Sequence, residues 1–228
     1  MISMKKGCIV LLLILMVICV PLSAALAAEV IAYFGEVGGE VSVRRVNPET
    51  TMQAQVGMFL DAGDTVKTGE GGYASIIFQD DGSRVKLGEN SQLTLNATRR
   101  EQRLEKSSFL ETGKLWAKVT KKKGSLFQIK TPTSVASVKG TKFILEEKQW
   151  GETWLWVLDE SVFLSNDSEE KEVKEGQKGK ATKEKIEIED LQKDDLPLEP
   201  GRHELIFYLQ KGGESAMQKE LHIELEKK

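Results

Sequence analysis

Few side chains in this 228-residue sequence stand where they could do chemistry. His203 and His222 are the only histidines, and a general base or a zinc ligand needs convergent partners. No cysteine, histidine or paired carboxylate lies near them at ligand spacing, so both read as ordinary strand positions. Asp61-x-x-Asp64 and Asp80-Asp81-Gly82 offer turn carboxylates to a cation such as calcium. The ligand count is too low for a recognisable calcium loop, and Asp-Gly is explained by positive φ at glycine and by the local hydrogen bonds of aspartate. No Gly-x-Ser-x-Gly elbow is present. Gly69-Glu-Gly-Gly72 precedes a strand rather than opening a helix, which removes a phosphate cradle of the usual type. Lys121-Lys122-Lys123-Gly124 could attract an anionic polymer but reads better as a solvated turn. The expectation is a non-enzymatic protein without cofactor or metal.

Tryptophan is the exception. Where Leu115, Ala117 and Val119 face a core, Trp116 points the other way, and the same parity at Leu155 and Val157 sends Trp154 and Trp156 outward together. Trp116, Trp154 and Trp156 are therefore the candidate partner-binding surface, suited to stacking a sugar or gripping an apolar partner. The competing explanation is that a C-terminal hairpin lies over them.

The elements that must position these residues are strands. Val41 and Val43 share a face; Ala74, Ile76 and Phe78 share another; Asp80-Asp81-Gly82-Ser83 turns the chain before Val85 and Leu87. Leu93 and Leu95, Phe127 and Ile129, Val138, and Phe143 and Leu145 continue the series, without helical periodicity. Asn47-Pro48-Glu49-Thr50-Thr51 reads as loop. The fold class is all-β, a twisted solenoid-like or sandwich-like stack of short strands; spacing does not choose between the two.

Lys5 and Lys6, an apolar run from Cys8 to Val20 and small residues ending at Ala27 have the order of a secretory signal peptide. Cleavage there makes the protein exported, to the periplasm, envelope or outside the cell. An uncleaved anchor over residues 7–28 is the alternative, and only then is a membrane a partner. Both cysteines lie in this segment and neither follows a lipoprotein-type Leu-small-small pattern, so the mature chain has no thiol. Cleavage shifts the net charge from -3 to -5, which disfavours nucleic acid. The expected domains are residues 1–27 signal peptide, 28–184 β domain, 185–198 charged linker and 199–228 a C-terminal β-hairpin carrying Leu205, Phe207, Leu209, Leu221, Ile223 and Leu225. Two strands alone are marginal in water, so that hairpin should dock on the body or on a partner.

Over Val30 to Ala181 the chain resembles the FecR family of bacterial extracytoplasmic domains. The resemblance rests on Gly39-Glu-Val-Ser-Val, Gly57-Met-Phe-Leu-Asp-Ala-Gly-Asp-Thr-Val-Lys-Thr-Gly, Asp81-Gly82-Ser83-Arg84-Val85-Lys86-Leu87-Gly88, Leu110-Glu111-Thr112-Gly113-Lys114-Leu115, and Thr131-Pro132 with Val138-Lys139-Gly140-Thr141-Lys142-Phe143. It implies a twisted stack of short strands and an extracytoplasmic binding, scaffold or sensor module whose partner is an envelope protein or a cell-wall polysaccharide. Two departures stand out. Only six residues precede the apolar run, so the cytoplasmic anti-sigma segment of the regulators that name the family is not expected here. And Glu160 is followed by Ser161 where the family usually has Glu-Gly.

Overall fold

The computed structural model describes residues 29–200, apart from 47, 101–102, 123–125, 149–150 and 193–194. The segment expected to be a signal peptide, both histidines, the expected C-terminal hairpin and part of the Lys121–Gly124 cluster thus lie outside the described residues. Within them the chain is all-β: eighteen strands form a continuous curled sheet folded into two layers.

The first layer has the order β4 (Phe59–Asp61), β1 (Val30–Gly38), β6 (Tyr73–Phe78), β7 (Arg84–Leu87), β10 (Arg103–Lys118), β13 (Lys142–Lys148), β14 (Glu152–Asp159), β17 (Gln177–Ala181), β18 (Ile186–Asp190). The second runs β3 (Thr50–Gln53), β2 (Val41–Arg45), β5 (Thr65–Thr68), β8 (Gln92–Thr94), β10 again, β11 (Phe127–Lys130), β12 (Val135–Val138), β15 (Ser161–Ser165), β16 (Glu170–Lys174), with β9 (Ala97–Arg100) beside the start of β10. Successive hairpins alternate between the layers, which gives the fold both its coiled and its sandwich character. β10 belongs to both: its first part pairs with β8, β9 and β11, and from Gly113 onward it pairs with β7 and β13. The crossing is made by a bulge between Leu110 and Thr112 and by Gly113 at φ 93°.

The alternation seen in sequence is the packing. Phe34, Val43, Ile76, Phe78, Leu93, Leu115, Ile129, Phe143, Leu155 and Leu164 all point between the layers into one apolar core. Polar groups close its ends. At one, Lys106 is 1% exposed and its ammonium lies 2.8 Å from Asp80 and 2.5 Å from Asp81, while Asp81 also accepts from the Ser83 amide at 2.9 Å. At the other, the buried Glu147 carboxylate accepts from the hydroxyls of Thr133 at 3.1 Å and Thr153 at 2.6 Å.

Two expectations need correction. Thr50 and Thr51 are not loop but open strand β3, every residue of which is exposed; as an edge strand with no buried face it carries no alternation to read. The linker placed at 185–198 begins with β18, paired along its length with β17 and seated by buried Ile186. The charged run before it forms β16 and β17, whose core contacts come from Val173 and Ala181. At the Glu160–Ser161 turn Glu160 itself is left-handed, at φ 54°, and its carboxylate pairs with Lys121 at 3.0 Å.

Candidate recognition surface

Parity places Trp116, Trp154 and Trp156 on the side of the first layer facing away from the core, and the strand register assembles them. Across β7, β10, β13, β14 and β17 one row reads Lys86, Trp116, Ile144, Trp156, Lys178, with Ser75 of β6 beside Lys86. The next row reads Lys114, Glu146, Trp154, Lys180. The rings of Trp154 and Trp156 stack with centroids 6.1 Å apart and an interplanar angle of 23°. Lysine ammoniums flank the aromatics: Lys148 and Lys180 stand 4.8 and 5.3 Å from the Trp154 centroid, and Lys114 stands 6.0 Å from that of Trp116. Trp116 lies over Gly88, where a built Cβ would come within 3.1 Å of the ring.

The three rings are not equally open. Trp116 and Trp154 are half-buried, but Trp156 is only 6% exposed although no core lies on its side. A later segment crosses this side of the layer. After β18 the chain turns back, and Asp195 meets Lys178 at 3.1 Å. Glu199 then reaches Lys86 at 3.4 Å, on the far side of the tryptophans. Lys86 also pairs with Glu36 at 3.2 Å and sits 5.3 Å from the Tyr73 centroid, so this lysine too is buried on the outer face. Two polar atoms of the row, the Trp156 indole N–H and the Ser75 hydroxyl, are buried without a hydrogen-bond partner among the described residues.

The Lys178 anchor has a defined electrostatic window. The Asp195 carboxyl is held below its ordinary 3.8, first by the Gln192 amide that donates to it and then by Lys178; Lys178 is raised above 10.5, first by Asp195 and then by Glu189 of β18. The depressed acid contributes above its ordinary value and loses that contribution as pH falls through its lowered one; the raised base contributes below 10.5 and loses it as pH rises. Tryptophan emission is therefore expected to stay flat across neutral pH and to shift red only below about pH 4 or above about pH 10.5. A transition near pH 6 to 8 would contradict this anchor.

The other candidate groups are brought to different ends. Asp61 and Asp64 converge on Arg45, at 3.5 and 2.5 Å, and Asp64 also accepts from the Asp61 amide. Asp80 and Asp81 converge on Lys106. Among the described residues no group of three or more histidine, cysteine or acidic side chains is placed to hold a metal. The cavities are shallow: one of about 140 Å³ is lined by Arg44, Thr65 and Lys67, and one of about 20 Å³ by Trp154, Lys178 and Lys180. Both fall below the roughly 300–1,000 Å³ of small-molecule clefts. This geometry suits the laying of an extended ligand across a face.

Comparison with known proteins places part of this fold. Residues 64–163 match the family model described as FecR protein. Two crystal structures of a candidate anti-sigma factor from Parabacteroides distasonis are similar to the chain at 14% identity, with TM-scores of 0.47 and 0.49, covering 55% of this chain and 59% of theirs. The similarity thus spans somewhat more than half the length of that protein. No curated protein matches.

Proposed function

We propose, from the match of residues 64–163 to the FecR family model, that this chain is an exported, non-enzymatic module of the bacterial envelope that acts as a scaffold or sensor by binding a partner protein. The observation that carries the reading is the outer face of the first layer. A structural sheet surface has no need to collect three tryptophans and five lysines, Lys86, Lys114, Lys148, Lys178 and Lys180, into adjoining rows. Such a face combines large rigid contact area with charge selectivity. A protein is favoured over a cell-wall glycan because the face already accommodates a peptide segment, Asp195–Glu199.

Replacing Trp154 by Ala removes the stacked, lysine-flanked and half-buried ring from the face. The variant is expected to keep its β-type circular dichroism and to lose at least tenfold in capture of its partner from envelope extract, about 1.4 kcal/mol or more. Unchanged capture would remove the face from the function. A membrane-anchored regulatory role is the second reading, favoured by the uncharged run of residues 7–28. The intact mass of the exported protein separates the two, because only the anchored form retains residues 1–27.

A further inference from the structure

The segment across the tryptophan face is held differently from every strand beneath it. From Lys178 on β17 to Lys86 on β7 the row crosses four inter-strand steps, about 19 Å at the usual spacing. Asp195 to Glu199 spans about 13 Å when extended, and the two acidic and two lysine side chains cover the remainder. The segment therefore runs across the strands. Among the described residues positions 196–198 make no backbone–backbone hydrogen bond to the sheet, and Pro197 has no N–H to give one. Ion pairs at its two ends tie it to the face, whereas β17 and β18 are zipped residue by residue.

It is also an incomplete ligand. On the same face the Trp156 indole N–H and the Ser75 hydroxyl are buried and unpaired among the described residues, a standing cost that the polar groups of a better-seated peptide would relieve. We propose that this face is a docking groove for an extended peptide bearing two carboxylates four residues apart, and that residues 195–199 occupy it in cis until such a segment of a partner protein displaces them. The proposal rests on the binding role assigned above and specifies the chemistry of what is bound. The resident needs little intrinsic affinity, since tethering gives it an effective concentration on the order of millimolar.

The test uses the full chain with Asp195→Lys and Glu199→Lys together, and the milder D195N/E199Q pair, with circular dichroism to verify the fold. The probe is the capped peptide Asp-Leu-Pro-Leu-Glu-Pro, the sequence of residues 195–200. Both variants are expected to show red-shifted tryptophan emission and several-fold greater acrylamide quenching. Added peptide should reverse the shift saturably, at least tenfold more effectively than it perturbs the parent protein, and the Lys-Leu-Pro-Leu-Lys-Pro control should not. Emission unchanged in both variants would overturn the proposal, and so would a red shift that the peptide fails to reverse. Reversal by a soluble cell-wall glycan fragment but not by the peptide would overturn it in favour of a sugar ligand. Peptide binding without any capture from envelope extract would leave the groove standing and remove the envelope-partner reading instead.

Discussion

Lys106→Ala is expected to destabilise the protein by about 3–5 kcal/mol, the usual consequence of removing one member of a buried ion pair. Lys106 is the one charged residue among the largest fully buried side chains, and it is the cation for Asp80 and Asp81 of the β6–β7 turn, with its ammonium 5.2 Å from the Phe78 ring. Truncation strands Asp81, leaves Asp80 only the more exposed Lys122 at 3.9 Å, and opens a cavity beside Phe78 and Phe127, themselves in edge-to-face contact at 5.7 Å. For a domain of this size the loss corresponds to a fall in Tm of roughly 10 °C by thermal circular dichroism. The triple change Lys106→Met, Asp80→Asn, Asp81→Asn should recover most of it, because no charge is left unpaired. A triple variant as unstable as the single one would show that packing, not charge, is responsible.

Gly113→Ala should cost at least about 3 kcal/mol, combining a strained left-handed residue with overpacking. A Cβ there would lie 2.2 Å from the Ser91 hydroxyl and 2.5 Å from the Ser91 Cα, and the second atom is backbone that cannot swing aside. Ser91 is committed to the same turn, accepting from the Lys114 amide at 2.9 Å. Gly82→Ala is the matched control: φ is also positive, at 70°, but a Cβ meets nothing within 4 Å, so about 1 kcal/mol is expected. Denaturant unfolding of the two variants tests the contrast, and equal losses would mean that the crossing of β10 tolerates a side chain.

Much of the fold is legible because burial on one face writes itself as alternation. Ala74, Ile76 and Phe78, or Leu115 and Ala117, face the core as their spacing requires. Strand β3 lacks that signature because it touches no core, and β16 to β18 nearly lack it because Val173, Ala181 and Ile186 are too sparse to set a period. The passage of β10 between layers depends on a bulge and one glycine, not on apolar pattern. For the candidate surface, parity gives the side on which Trp116, Trp154 and Trp156 stand but not their cover. The segment that crosses this face is tied down by Lys178–Asp195 and by Lys86–Glu199, partners 17 and 113 positions apart, and no local spacing announces such pairs. The acidic turns are the reverse case: their hairpin role is readable, but their cations, Arg45 and Lys106, come from other strands.

The passage of a single strand through both layers has a mechanical consequence. Two sheets joined only by loops can slide over each other, whereas here continuous backbone is stitched into the middle of each, so displacement of one drags the other. Groups carried on the two outer sides are thereby held at fixed separation and orientation.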